Sequence, residues 1–305
     1  MQGFKLNRPL ALMGRALAAS LLIVFGTVQA PAALAQSQLP MMGDGAEMTT
    51  SAERKLGDRI IRELYRDPDY IDDAVLQEYV QGLFQALVQA AQERGELSPE
   101  LQERFAWQIL LGRDRTVNAF ALPGGYFGVH LGLIGVVGTR DELASVLAHE
   151  LSHVTQRHIA RMLSGQRQTT LGTLAAVVLA ALAARSSPQE AAGIVTMASG
   201  AQHQQMLSFS RDAEREADRV GLDTLRAAGF DPNGMVSFFG RLQQATRVYE
   251  SAAPAYMRSH PMTVERIADI QSRVQEGRYR QHPDSIEFRL VRARLQATGD
   301  GGVDA

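Results

Sequence analysis

Residues His149-Glu150-Leu151-Ser152-His153 constrain this chain more than any other stretch, because they demand a helix and load one face of it. Positions i and i+4 of an α-helix share a face, so both imidazoles can meet one cation with Glu150 beside them. The flanking sequence supports that helix. Thr139 and Glu142 make a T-x-x-E capping box, which predicts a start at that point. Leu143, Val146, Leu147, Leu151 and Val154 supply an apolar stripe, and the periodic run extends from Asp141 to Met162. Two solvated histidines on a surface helix, the plainer reading, would need no such stripe. Neutral imidazoles, an open coordination position and an adjacent carboxylate are what a catalytic Zn2+ requires. The implied chemistry is metal-assisted hydrolysis, most often of a peptide bond.

A catalytic zinc usually takes three protein ligands, so the two histidines leave one to find. Downstream, Ser210 to Asp218 forms a dense acidic helix in which Glu214 and Asp218 share a face at i, i+4. One of them can bind the cation while the other holds a ligand histidine by its far nitrogen. Composition and spacing do not separate these two from Glu216, and a solvated charged face remains the alternative.

The 305 residues leave room for one or two domains, and a net charge of −2 gives no electrostatic case for nucleic acid. The absence of cysteine excludes disulfides, a cysteine nucleophile, Cys-ligated zinc and a lipidated N-terminal cysteine. Lys5, Arg8 and Arg15 precede an apolar run from Ala16 to Val28, followed by Ala33-Leu34-Ala35. That order predicts a signal peptide over residues 1–35, cleaved before Gln36, and export to a periplasm-like compartment. An uncleaved anchor is the alternative, for which the run is short.

Residues 36–50 read as a flexible lead-in, residues 51–277 as one folded domain and residues 278–305 as a tail. Helices are expected over residues 51–66, 71–94, 169–184, 188–207, 210–228, 233–249, 263–276 and 284–296, besides the metal helix. Residues 105–111 are strand-like, and 117–122 with 126–130 form a hairpin-like pair around Pro123-Gly124-Gly125. Helices dominate over one small sheet, which is an α+β plan. The run from Leu171 to Ala184 is apolar apart from Gly172 and Thr173, and shorter than the roughly 20 residues of a membrane span. It reads as a buried helix, with peripheral contact to lipid or unfolded substrate as the sharper alternative.

His149-Glu150-x-x-His153, then Ser210-Arg211, then Glu214-x-x-Ala217-Asp218 resembles the HtpX / CAAX-prenyl-protease family of zinc metallopeptidases. The segment from Asn118 to Gly125 also resembles the family's segment ahead of the metal helix, and the match runs from about residue 51 to residue 276. The resemblance implies a mostly helical zincin-type domain with a small sheet beside the metal helix and one Zn2+ per chain. His149, His153 and Glu214 would be its ligands, Glu150 the general base and Asp218 a supporting residue. Asn118, Ala119 and Phe120 would lie on an edge strand that holds substrate. Within the family the chain is most similar to the periplasmic branch that promotes outer-membrane β-barrel assembly. That implies misfolded or stalled outer-membrane proteins as substrates and the barrel assembly machinery as partner. His260-Pro261 is similar to a segment of that branch in which the histidine takes the metal's remaining position, which implies a self-inhibiting switch. Members of the branch carry a C-terminal array of helical hairpins. Residues 278–296 are read as a stub of it, which leaves docking on the assembly machinery without its platform. A non-cleaving holdase and a membrane-associated quality-control protease are the alternative functions. His130, His158, His203 and His282 are expected to be surface or internally satisfied histidines, and Arg266 is a candidate to bind a carboxylate near the site.

Overall fold

In the computed structural model, residues 48–164, 178–179, 210–248, 254–275 and 285–299 are described. Helix α1 (Thr50–Leu64) is capped by the Thr49 hydroxyl, which accepts the Ala52 N–H. A short strand, β1 (Tyr70–Ile71), precedes α2 (Ala74–Glu93). The sequence predicted a helix from residue 71, but the Asp73 carboxylate accepts the Val75 and Leu76 N–H groups and fixes the start there. Helix α3 (Pro99–Arg104) was not anticipated; Ser98 caps it and Pro99 takes the first position, where a missing N–H costs nothing. It delays the next strand, expected from Phe105, to β2 (Gln108–Gly112).

Strands β3 (Ala119–Leu122) and β4 (Tyr126–His130) pair antiparallel around Pro123-Gly124-Gly125, with Leu122 opposite Tyr126. Gly124 and Gly125 both take φ near +78°, a left-handed backbone that favours glycine. Strand β2 runs parallel to β4, and the sheet order β1-β2-β4-β3 leaves β3 at an edge.

Helix α4 (Leu131–Val136) leads into α5 (Arg140–Thr155), which carries the histidine motif. The Thr139 hydroxyl accepts the Glu142 N–H at 3.1 Å, and the Glu142 carboxylate reaches back to the Gly138 N–H at 2.7 Å. The box therefore closes one residue further out than the usual arrangement, whose return bond ends on the cap residue. Every residue from Asp141 to Thr155 is buried, so α5 is a central rod rather than a half-exposed helix. The sequence predicted one helix to Met162. It breaks instead at Arg157, whose φ is +59° and whose guanidinium pairs with the buried Glu53 and donates to the Met48 carbonyl. Helix α6 (His158–Ser164) follows the break.

Helix α7 (Arg211–Ala227) starts at the Ser210 cap and gives way to Gly229, at φ +81°, as the sequence indicated. Then come α8 (Asn233–Val248), α9 (Ala255–Ser259), α10 (Val264–Gln275) and α11 (Ile286–Gly299). Helix α5 is enclosed by α2, α7, α8 and β3. Helix α11 packs on α2 and α4 through the buried Phe288. The arrangement is a mostly helical α+β domain with a small mixed sheet. Of the apolar run from Leu171 to Ala184, only Val178 and Leu179 are described; both are helical and Val178 is buried in the core. The rest of that run, the helix expected over 188–207 and residues 1–47 lie outside the described residues. No helix among the described residues is long and apolar enough to cross a membrane.

The broadest contact in the domain joins α7 to α5. At Gly221 the two backbones approach so closely that an added Cβ would sit 3.2 Å from the Ala148 backbone. Gly221→Val is expected to push α7 off α5 and cost about 1–3 kcal/mol. Calorimetry should show a lower unfolding midpoint. Gly82→Ala on α2, where an added methyl meets nothing within 4 Å, should leave the midpoint unchanged or raise it.

Candidate metal centre

Helix α5 points His149 and His153 at α7, which answers with Glu214, and the chain just after α9 brings in His260. One donor atom from each of these four residues lies within 4.8 Å of all the others, and all four side chains are buried. His149 Nε2 is 3.0 Å from His153 Nε2 and 3.2 Å from His260 Nδ1. Glu214 Oε1 is 3.0 Å from His260 Nδ1 and 3.4 Å from His153 Nε2, and Glu214 Oε2 is 3.5 Å from His149 Nε2. A tetrahedron with bonds of about 2.0–2.1 Å has edges of about 3.3 Å. The five spacings above, two to one Glu214 oxygen and one to the other, lie on either side of that value. The whole set falls within 4.8 Å, so small side-chain shifts would close it on one cation. Nitrogen with carboxylate oxygen is a donor set that borderline-soft divalent cations accept. The residues present therefore fit a single cation of that size.

The charges are arranged to the same end. Burial opposes a charge on His149, but the Asp218 and Glu214 carboxylates outweigh it and lift the imidazole to about 10. Burial keeps His153, 3.0 Å away, well below its ordinary value. Burial also works against ionisation of Glu214, yet His260, His149 and His153 together hold its carboxyl well below the usual range. A divalent cation entering the cluster would replace the proton on His149 and give Glu214 a permanent partner.

Around the four donors lies a layer of groups that fix their orientation. Asp218 Oδ1 is 2.9 Å from His149 Nδ1. Arg266, on α10 and buried, grips Asp218 through Nε at 2.6 Å and Nη2 at 2.8 Å. Its Nη1 lies 2.8 Å from Glu214 Oε2 and donates to the Pro261 carbonyl at 2.8 Å. The sequence placed Arg266 as a candidate carboxylate binder, and the structure puts it against Glu214 and Asp218, the two buried acidic residues of α7. At His153 the far nitrogen, Nδ1, is 2.9 Å from Nδ1 of the buried His158. His158 Nε2 in turn lies 2.9 Å from Glu216 Oε2. Glu216 is thus turned away from the four donors and toward solvent. The sequence did carry a signal that separates it from Glu214. Glu214, Ala217, Asp218 and Gly221 follow i, i+3, i+4, i+7, and the small residues among them mark the buried stripe of α7.

Glu150 is buried beside the cluster, where its Oε2 accepts the Ala121 N–H from β3 at 3.1 Å. Its Oε1 is 3.3 Å from His260 Nε2. His260 is stacked on the Tyr256 ring, with centroids 4.5 Å apart and planes 23° apart. Sequence reasoning missed Tyr256 because α9, five residues behind Pro254, is too short to show a period. Of the three residues expected on the edge strand, Asn118 is fully buried just before β3, and neither its amide oxygen nor its amide nitrogen has a hydrogen-bond partner. Ala119 opposes Val129, and Phe120 opposes Gly128 with its ring against His130. His130 is satisfied internally, with Nδ1 3.0 Å from the Thr116 hydroxyl. His203 and His282 lie outside the described residues.

Known proteins share this plan. Residues 76–274 match the model of peptidase family M48. The β-barrel assembly-enhancing protease of Escherichia coli K12 is 33% identical over 266 residues, covering 87% of this chain and 53% of that protein. Its namesake from Yersinia pestis is 33% identical over 273 residues, covering 88% of this chain and 54% of that protein. The metalloprotease LoiP of Escherichia coli K12 is 30% identical over 174 residues, covering 55% of this chain and 62% of LoiP. The chain spans about half the length of the assembly-enhancing proteases it matches. The matched family segment contains α5, α7, His260 and Arg266, the parts from which the donor cluster is built, and the chain belongs to peptidase family M48.

Proposed function

We propose that this chain is a periplasmic, zinc-dependent endopeptidase that hydrolyses misfolded or stalled outer-membrane proteins and is held in check by His260. The observation that carries the reading is the convergence of His149, His153 and Glu214 with Glu150 alongside. One Zn2+ would be held by those three ligands. When bound, it supplies Lewis acidity, bringing the ionisation of water near neutrality and polarising a peptide carbonyl. The leader-like N-terminus supports the compartment, and the name of the matched β-barrel assembly-enhancing proteases supports the substrate class.

The protein's own groups do the rest. Glu150 takes the proton of the attacking water and returns it to the leaving amine. The Ala121 N–H holds Oε2 of that carboxylate, which leaves Oε1 on the cluster side and ties the base to the edge strand. An extended polypeptide can add through main-chain hydrogen bonds along the edge that Asn118, Ala119 and Phe120 begin, the Asn118 and Ala119 side chains themselves being buried. That mode requires a substrate backbone with no other partner, so it favours unfolded segments over compact ones. Asp218, gripped by Arg266, fixes the tautomer of His149 so that Nε2 faces the cation.

His260 lies against His149 through Nδ1, where it would be a fourth donor to the cation, and approaches the base through Nε2. In that position it takes both the coordination place and the carboxylate that an attacking water needs. The loop must move for the site to work, and a chain caught in this state would bind unfolded proteins without cutting them. This favours, as a second reading, a holdase for unassembled barrel proteins. The assembly machinery is the partner implied by the matched proteases. Peripheral membrane contact would fall to the run from Leu171 to Ala184.

Glu150→Gln should retain one zinc per chain by elemental analysis and lose about 10²–10⁴-fold in cleavage of an unfolded outer-membrane protein. Cleavage at the wild-type rate would remove Glu150 from its role. His260→Ala is expected to raise basal cleavage of the same substrate, and an unchanged or lower rate would show that His260 is no lock. The holdase reading predicts that wild type and Glu150→Gln suppress aggregation equally while neither generates fragments.

A further inference from the structure

His149 and His153 are held from behind in different ways. The far nitrogen of His149 meets a buried carboxylate directly, Asp218 at 2.9 Å. The group beside the far nitrogen of His153 is a second imidazole, and a carboxylate stands one ring further out. A neutral imidazole has one donor nitrogen and one acceptor nitrogen, so a chain of two such rings ending on a carboxylate has a direction. If His153 Nε2 presents its lone pair to a cation, its proton is on Nδ1. That proton is donated to His158 Nδ1, which must then be bare, so the His158 proton sits on Nε2. There it is donated to Glu216 Oε2 at 2.9 Å. The opposite tautomer of His158 would set two N–H groups against each other at 2.9 Å and turn a bare nitrogen toward a carboxylate.

We infer that His158 and Glu216 form a relay that fixes the tautomer of His153 and thereby sets how tightly the centre holds its cation. The inference rests on the metal-binding reading of His153 given above. His158 is a positioning residue, acting through His153 and touching neither cation nor substrate. The break in the long helix serves this purpose. In an unbroken helix His158 would lie five positions, about 140° of rotation, beyond His153 and away from its ring. The left-handed turn at Arg157 releases it to approach His153 Nδ1. Glu216 ends the relay at the surface, with its side chain 39% exposed and Arg161 Nη2 3.3 Å from the same oxygen. The electrostatics of a solvent-facing pair thus reach a buried ligand through two hydrogen bonds.

The test is a set of Zn2+ dissociation constants, read by competition with a chromogenic chelator, together with the imidazole N–H signals of the zinc-loaded protein by 15N-resolved NMR. His158→Leu should weaken zinc binding by about 10–100-fold, the range for groups behind a ligand, and Glu216→Gln by about 10-fold. His158→Gln offers an acceptor and a donor in the same order as the ring and should stay close to wild type. Glu63→Gln, which removes a surface charge whose partner is Arg66 just past the end of α1, should change nothing. The His153 Nδ1–H signal should shift in Glu216→Gln. If wild type binds zinc and His158→Leu and Glu216→Gln bind it as tightly, with the signal unmoved, the relay is wrong and the metal reading stands. A His158→Gln as weak as His158→Leu would also overturn the relay. If wild type itself holds no zinc, the metal reading fails and the relay with it. Should His158→Leu not fold, the half-exposed Glu216→Gln decides the matter alone.

Discussion

The contact between α5 and α7 is the constraint on which the rest of the site depends. The donor cluster draws two imidazoles from one helix and a carboxylate from the other, and donor atoms about 3 Å apart require backbones that nearly touch. Ala217 and Gly221 on the buried stripe of α7 present only a methyl group and a hydrogen, so little holds the helices apart. The same closeness buries Glu214, Asp218 and Arg266 together with Glu150. Burying such charges is expensive, and well-packed apolar residues of the same volume would serve stability as well or better. A charge set of this kind, in which Arg266 pairs with Asp218 and Glu214 while Glu150 accepts the Ala121 N–H, makes sense as a preformed cradle for a cation and not as a device for holding the fold together.

The support around the cradle is uneven, and the unevenness has consequences. His149 is backed by Asp218, which Arg266 locks in place while also touching Glu214 and the Pro261 carbonyl. One guanidinium therefore links Asp218 and Glu214 to the chain that delivers His260. Displacement of that chain would free the fourth corner and one Arg266 partner together. His153 is backed instead through His158 to a surface carboxylate. One histidine of the motif is thereby tied to the chain that carries His260 and the other to solvent.

Much of this was legible in the sequence because it depends on local chemistry. The Thr139 cap, the i, i+4 histidines, the Gly-rich turn before Tyr126 and the Ser210 and Gly229 ends of α7 all follow from residue type and spacing. Four short elements did not show: β1, with two residues, and α3, α4 and α9, with five or six, are too short to establish their own period. The break at Arg157 was hidden because Ile159 and Met162 continue the apolar rhythm across it, and the ion pair that anchors Arg157 there is with Glu53, far away in sequence. For the same reason His158 looked like a bystander and Arg266 a marginal candidate. Their partners are 58 and 48 residues away in sequence, and only the packing of α6 and α10 against α7 brings them together.

The most direct test of the account is to locate the metal itself. Anomalous diffraction data collected above and below the zinc absorption edge from crystals of the zinc-loaded protein should give one peak per chain. That peak should lie within bonding distance of His149 Nε2, His153 Nε2 and a Glu214 carboxylate oxygen. A peak coordinated elsewhere, or none at this cluster under saturating zinc, would contradict the central claim that α5 and α7 are held together to build a metal centre.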